Sequence, residues 1–189
     1  MTRRLVLLRH AKSAWPDLPD LPDHERPLAK RGRRDAPAAG RWLREAGFIP
    51  DRVLCSTACR TRETWQLMVP ELGPGPPPVS YQDQVYAADS ETLLRLARRA
   101  GPETSSMMII GHNPGLQDLA LTLAASPDGD IEAGLAQRAA AKFPTAAIAV
   151  LAFAGAWSRL APGGAQLIAF VTPSDLREPD QLPRPGQLP

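Results

Sequence analysis

Apolar runs alternate with segments of helical periodicity along most of the chain. The runs at residues 5–8, 52–55 and 107–110 predict three buried strands. Two later runs, at 146–153 and 166–171, predict a strand pair joined by a wide hairpin. Because strands and helices alternate, we expect a three-layer α/β/α domain with a largely parallel central sheet, to which the last two strands add an antiparallel edge.

Apolar residues at helical spacing predict five helices, over residues 30–46, 56–72, 89–100, 113–123 and 133–142. Gly47 closes the first helix, but Pro37 interrupts it, so either the regular helix begins near Asp35 or it is kinked at the proline. The stretches 79–81 and 85–86 flank a short turn and predict an edge strand.

Short polar residues mark where three of these helices are expected to begin. Ser56 and Thr57 are suitable N-caps for the second helix, and Asp89 or Ser90 for the third. For the fourth helix we expect Asn113 as the N-cap, with Pro114 in the first helical position.

The length and composition of the chain are typical of one globular domain. Of the 189 residues, 43% are hydrophobic and 22% are charged, which is typical of a soluble protein. We expect the domain to span residues 1–176 and the Pro-rich polar tail, residues 177–189, to be poorly ordered. The net charge is only +2 and the 22 Lys and Arg residues are spread along the chain, so nothing indicates nucleic-acid binding.

No apolar run approaches the roughly 18 residues of a membrane helix, and the run before Arg9 is too short for a signal peptide. We therefore expect a cytoplasmic protein that does not bind membranes. The two cysteines, Cys55 and Cys59, predict one buried thiol and one thiol on a helix rather than a metal or redox site.

Candidate functional residues lie where two of the predicted strands end. Arg9 and His10 follow the first strand, and His112 follows the strand at 107–110. In α/β sheets, ligands collect beyond the carboxyl ends of the strands. Arg60, in the first turns of the second helix, is expected at the same edge. Two arginines, two histidines and a helix N-terminus suit a phosphoryl group, because guanidinium forks match its oxygens.

The sequence contains no metal-binding or nucleotide-binding motif, so we expect no metal and no cofactor. Phosphoryl transfer then needs cations to neutralise the phosphoryl oxygens and a nucleophile in line with the leaving group. Arg9, Arg60 and a protonated His112 are candidates for the charge. A neutral His10, with one ring nitrogen held by a backbone carbonyl, is the candidate nucleophile.

Three motifs, in this order and spacing, resemble those of the histidine phosphatase superfamily. They are Leu8-Arg9-His10-Ala11-Lys12-Ser13, Ser56-x-x-x-Arg60-Thr61-x-x-Thr64 and Gly111-His112-Asn113-Pro114-Gly115. Shorter pieces at 26–28, 142–145 and 170–176 resemble the branch that is similar to the phosphohistidine phosphatase SixA. The resemblance extends from residue 5 to about residue 176.

This resemblance implies that His10 is the phosphorylated nucleophile and that Arg9, Arg60 and His112 bind and polarise the phosphoryl group. It also implies the phosphoglycerate mutase-like α/β/α fold. The SixA branch lacks the helical lid of larger members, and this chain has no insertion long enough for one. An open site suits a phosphorylated side chain on another protein. Lys12 and Arg62 are either solvated charges or contacts at the rim.

The general acid is not assigned by this resemblance. Mutase-like members carry a glutamate in the middle of the chain, but residues 86–88 contain no carboxylate. The alternatives are Asp89 and Glu91, or Asp17 and Asp23 from the polar loop at 15–27. That loop, with its acidic residues, is expected to be solvated above the site, with His24 exposed. A phosphoramidate with a protonated nitrogen needs little help in leaving, so the missing glutamate favours phosphohistidine over mutase chemistry.

Three functions remain open from the sequence. The first is a metal-independent phosphatase that acts through phospho-His10 on protein phosphohistidine. The second is the same chemistry on a small phosphomonoester. The third is a phosphate-binding or phosphoprotein-binding module with little turnover.

Overall fold

A computed structural model describes residues 1–14, 20–126 and 129–177. The strands are Thr2–Arg9 (β1), Arg52–Ser56 (β2), Val79–Gln82 (β3), Ser106–Gly111 (β4), Ile148–Ala154 (β5) and Gln166–Val171 (β6). The α-helices are Lys30–Glu45 (α1), Cys59–Met68 (α2), Ser90–Ala97 (α3), Gly115–Leu123 (α4) and Asp130–Ala141 (α5). A short 3-10 helix, Asp23–Glu25, lies between β1 and α1.

The six strands form one mixed sheet in the order β3-β2-β4-β1-β5-β6. The pairs β3–β2, β2–β4 and β4–β1 are parallel, whereas β5 is antiparallel to both β1 and β6. The largely parallel sheet with an antiparallel edge is therefore confirmed, including the hairpin between the last two strands.

Helices cover both faces of the sheet. Val6 and Leu8 of β1 point to the face covered by α1 and α2. Leu5 and Leu7 point to the opposite face, which α3, α4 and α5 cover. This alternation along one buried strand produces the predicted three layers. Within the described ranges no inserted α-helix covers the carboxyl edge of the parallel strands, and the segment between β1 and α1 contributes only the 3-10 helix Asp23–Glu25.

Helix α1 runs without interruption from Lys30 and contains Pro37 in its interior, so a start near Asp35 is wrong. Tertiary packing stabilises its first turns. The amide of Ala29, the N-cap, donates to the carbonyl of Lys12, and a Cβ at Gly32 would lie only 2.2 Å from that carbonyl oxygen. Gly47, with φ 71°, ends the helix as predicted.

The predicted N-caps are confirmed for α3 and wrong for α2 and α4. Asp89 caps α3, where its Oδ1 accepts a hydrogen bond of 2.8 Å from the amide of Thr92. Helix α2 instead has Ala58 at its N-cap, because Ser56 remains in β2. Helix α4 has Pro114 at its N-cap. The Asn113 side chain instead donates to Gln117 and to the Phe143 carbonyl.

The segment after β2 and α2 also differs from the prediction. Strand β3 is the parallel edge strand, but residues 85–86 do not extend it. Val85 ends a 3-10 helix, Asp83–Val85, and is buried against the face that α4 covers. Tyr86 follows directly. Residues 15–19, 127–128 and 178–189 lie outside the described residues, and with them Asp17 and nearly all of the predicted tail.

Candidate active site

The two strand-end histidines meet because β1 and β4 are parallel neighbours in register, with Arg9 opposite Gly111. The amide of His10 donates to the carbonyl of Gly111 over 3.1 Å. The His10 and His112 rings follow directly, with centroids 5.2 Å apart. Each histidine is only 7% exposed. The register of one strand pair therefore builds the centre of the site.

The hydrogen bonds of His10 define which ring nitrogen can react. Its Nδ1 lies 2.7 Å from the carbonyl oxygen of Ala11. A carbonyl only accepts, so Nδ1 carries the proton and Nε2 has a free lone pair. Burial lowers the pKa of His10 to about 3; the Ala11 hydrogen bond opposes this, and the charges of His112, Arg60 and Arg9 add to it. The ring is neutral at physiological pH, which a nucleophile requires.

His112 has the opposite tautomer. Its Nδ1 lies 3.3 Å from Nη2 of Arg60, which only donates, so Nδ1 is the acceptor. Its Nε2 therefore carries the proton and donates over 2.8 Å to Oγ of Ser56. Burial, followed by the charge of Arg60, lowers the pKa of His112 to about 3. A bound phosphate dianion would counter both effects and favour a second proton on the ring.

Two arginines approach the histidines from different elements. Arg60, 7% exposed on the first turn of α2, donates from Nη1 to the carbonyl of Asp23 over 2.6 Å. Its Nη2 also donates to Oδ2 of Asp23 over 2.9 Å. Arg9, the last residue of β1, donates from Nη1 to the Phe143 carbonyl over 2.7 Å. Burial and the charge of Arg60 lower the pKa of Arg9.

One donor of this cluster has no protein acceptor among the described residues. The Nε atom of Arg9 is buried and unpaired there. A buried N–H without a partner costs free energy of about 1–3 kcal/mol, and proteins retain such donors where a ligand pairs with them. The charge of Arg9 acts on both histidines, so an anion bound beside them lies near this arginine.

Asp23 is the one general-acid candidate that the described structure brings into the cluster. It accepts from Arg60, from Nη1 of Arg26 over 2.9 Å and from the hydroxyl of Tyr86 over 2.9 Å. Burial raises the pKa of Asp23, but the Tyr86 hydrogen bond, the charge and hydrogen bond of Arg60 and the Arg26 hydrogen bond outweigh it and lower the pKa to about 2. The carboxylate is therefore ionised in this structure.

Tyr86 is a site residue that the sequence analysis missed. Its ring lies edge-on to the His112 ring at 5.4 Å, and the Arg60 guanidinium lies 5.9 Å from the ring centroid. Burial and the adjacent carboxylate of Asp23 raise the pKa of Tyr86, so its hydroxyl keeps its proton. Its position in the sequence could have indicated it: Tyr86 lies in the stretch 86–88, where mutase-like members would carry their glutamate.

His24 is half-buried rather than exposed, which corrects the prediction. Its Nε2 lies 2.9 Å from Oγ1 of Thr57, whose hydroxyl in turn donates to Asp83. Its Nδ1 lies 2.8 Å from Oε1 of Glu25. The ring also contacts Tyr86 edge-on at 4.8 Å. The contacts with Thr57 and Tyr86 attach the 3-10 helix that carries Asp23 to the segment just before α2 and to the segment after β3.

The other candidates lie outside the cluster. Asp89 is engaged in capping α3, and Glu91 is exposed on its first turn; none of the described hydrogen bonds or ion pairs joins either of them to the site histidines. Lys12 and Arg62 are exposed. Cys55 is buried in β2, where burial raises its thiol pKa to about 12, and Cys59 begins α2. Asp17 lies outside the described residues.

Two general properties of the described residues bear on partners. No group of three or more His, Cys, Asp or Glu side chains in the described ranges is placed to hold a metal ion. None of the helices in those ranges is long and apolar enough to cross a membrane.

An α/β/α sandwich with two neutral histidines and two arginines at the sheet edge is typical of a phosphoryl-transfer protein of the phosphoglycerate mutase-like fold. The chain belongs to the histidine phosphatase superfamily: the family model of its branch 1 matches residues 5–85. It is a phosphatase of the SixA-like type, as the following similarities to relatives and solved structures support.

A proposed phosphohistidine phosphatase SixA from Nakamurella multipartitia is 33% identical, with a TM-score of 0.76 over 92% of this chain and 97% of that one. A second protein described in the same way, from Agrobacterium tumefaciens, is 32% identical, with a TM-score of 0.72 over 90% and 97%. An uncharacterised protein of Mycobacterium tuberculosis is 42% identical over 166 residues, which are 88% of this chain and 99% of that protein.

Proposed function

We propose that this phosphatase works without a metal through a phosphohistidine on His10. The observation that carries the proposal is the His10 ring itself: it is neutral, its Nδ1 is fixed on the Ala11 carbonyl, and its Nε2 is free beside Arg60 and His112. Nε2 attacks phosphorus, the bond to the leaving group breaks, and water then hydrolyses the phosphohistidine.

The remaining residues of the cluster bind the phosphoryl group. Arg9 offers its Nε–H, which has no acceptor among the described residues, and Arg60 offers a guanidinium that contacts His112. His112, protonated as the dianion enters, donates to a phosphoryl oxygen. These cations neutralise the charge on the equatorial oxygens, which is the main requirement of phosphoryl transfer.

The substrate that we propose is phosphohistidine on a protein. Two observations support a protein substrate over a metabolite. Within the described ranges, the edge of the sheet that carries the site is covered by no α-helix, and the short 3-10 helix Asp23–Glu25 is the helical segment that contacts the site. Two similar structures, 33% and 32% identical, are described as proposed phosphohistidine phosphatases. We place the activity in residues 1–176. The cytoplasmic location stays a prediction from the sequence.

The test is hydrolysis of a phosphohistidine-carrying protein domain beside a generic aryl phosphate, with EDTA present throughout. We expect loss of phosphohistidine at a rate that EDTA does not change, and a decrease of at least about 1,000-fold in kcat/KM for His10→Ala. Full activity of His10→Ala, or abolition by the chelator, would refute the mechanism.

The substrate comparison decides between the two phosphatase functions. Turnover of aryl phosphate alone would retain His10 as the nucleophile and favour a small phosphomonoester. Tight binding of phosphate without turnover of any substrate would identify a binding module instead.

A further inference from the structure

Asp23 is the only carboxylate that the described structure brings into contact with the phosphoryl-binding groups. Its Oδ2 accepts from both Arg60 and Tyr86, each over 2.9 Å. The same Nη2 of Arg60 contacts Nδ1 of His112, which lies beside His10. One guanidinium therefore connects an exposed carboxylate to the buried histidine pair.

We propose that Asp23 is the base that removes a proton from the water that hydrolyses phospho-His10, with Tyr86 as its positioning residue. This inference rests on the proposed function. The geometry supports it through contact: Nη2 of Arg60 binds both Oδ2 of Asp23 and Nδ1 of His112, so the carboxylate lies next to the phosphoryl-binding groups. The Asp23 side chain is 51% exposed, so water reaches it, and hydrolysis needs a water that approaches phosphorus in line with the P–Nε2 bond.

The proton and the electrons balance in this step. The P–Nε2 bond breaks, and its electron pair returns to Nε2, which leaves His10 neutral with its proton still on Nδ1. A P–O bond to the water oxygen forms. One water proton moves to Asp23, the other leaves on hydrogen phosphate, and Asp23 later releases its proton to solvent.

The charges around Asp23 fit a base better than an acid. Arg60, Arg26 and the Tyr86 hydroxyl all face this carboxylate, and His24 and Glu25 follow it on the same 3-10 helix. All three facing groups stabilise the ionised form, in which Asp23 has no proton for an alcohol leaving group. A leaving group that brings its own proton, such as the protonated ring of a phosphohistidine, needs none. The same residue thus favours phosphoramidate substrates.

The experiment is a rapid-quench measurement with labelled phosphoramidate as the phosphoryl donor. Asp23→Asn should form phospho-His10 within about threefold of the wild-type rate, because that step does not use the carboxylate. Its hydrolysis should slow by about 100-fold or more, so that the phosphoenzyme accumulates. Tyr86→Phe should accumulate phosphoenzyme to a smaller extent.

Glu25→Gln is the matched control, because it makes the same change of charge on the same 3-10 helix without touching Arg60. It should not accumulate phosphoenzyme. If Asp23 only supports Arg60, Asp23→Asn will slow the labelling of His10 and leave its hydrolysis unchanged, which refutes the inference. Unchanged kinetics in Asp23→Asn would refute it as well.

Failure of the proposed function has a different signature. Turnover of phosphoramidate that persists in His10→Ala, with no label on His10 in wild type or in Asp23→Asn, would reject the phosphohistidine intermediate itself. Label on His10 that disappears equally fast in wild type and Asp23→Asn would reject only the role of Asp23.

Discussion

Single residues of the site are held in protonation states that differ from those of the free side chains. Burial, together with the charge of Arg60, lowers the pKa of both His10 and His112 from 6.5 to about 3. In the unfolded chain these rings return to ordinary values. Between pH 6.5 and 3 the unfolded state therefore binds protons that the folded state does not.

We expect the free energy of unfolding to decrease as the pH falls from about 6.5 towards 3, because the excess protons stabilise the unfolded chain. The lowered pKa of Asp23, at about 2, adds a loss only below its ordinary 3.8. His10→Gln removes one of the two rings and should lose less stability between pH 7.5 and 5. Urea unfolding of both proteins at these pH values provides the comparison; an equal decrease in both would contradict the assignment.

At the scale of elements, a close approach between α4 and the segment before α3 positions Tyr86. A Cβ on Gly115, the first residue of α4, would lie 1.9 Å from the carbonyl oxygen of Ala88. Only a glycine permits this contact. Because Tyr86 is two residues before Ala88, this contact constrains the backbone next to the ring that meets His112.

Gly115→Ala should therefore lower the free energy of unfolding by about 2 kcal/mol and reduce kcat/KM as well, because the backbone of residues 86–88 must move. Gly134→Ala is the matched control: Gly134 lies within α5, and its Cβ would meet nothing within 4 Å. That variant should be as stable as wild type or more stable by about 0.5–1 kcal/mol. Urea unfolding and steady-state kinetics on both variants test this; a Gly115→Ala protein with wild-type activity would contradict it.

The first residues of the helices also show where long-range contacts outweigh local N-cap preferences. Ser56 is a good N-cap by propensity, yet its Oγ accepts from His112 and it stays in β2. Asn113 likewise uses its side chain on Gln117 and Phe143. At Asp89, where no long-range contact competes, the local rule was correct.

For the whole molecule, the sequence predicted the parts of the site that strand pairing brings together. It did not predict the contacts that form between loops. The meeting of His10 and His112 follows from two apolar runs that each end in a histidine, because parallel strands align their carboxyl ends. The contact of Tyr86 with Asp23 spans 63 positions of the chain and joins two segments without regular periodicity. No local pattern encodes such a contact. For the same reason the choice among four candidate carboxylates stayed open.

The described fold also predicts how much of the chain the activity needs. The core clusters and the site lie between residues 3 and 176. A chain that ends after Arg177, which contacts Ser174 and Asp35, should therefore keep its melting temperature within about 2 °C and its kcat/KM within about twofold. Thermal unfolding and phosphohistidine turnover compare the two lengths. A drop in either would extend the domain into the tail.

The pairing of Arg60 with Asp23 has a consequence for the end of each catalytic cycle. Both outer nitrogens of the Arg60 guanidinium bind an oxygen of Asp23: Nη1 binds the backbone carbonyl and Nη2 binds the carboxylate. Inorganic phosphate must compete with an acceptor that is always present at the same place. Once Asp23 has lost its proton to solvent, its carboxylate again accepts a hydrogen bond from Nη2 of Arg60, and this competes with the bound phosphate product. We therefore expect inorganic phosphate to be a weak inhibitor of this phosphatase.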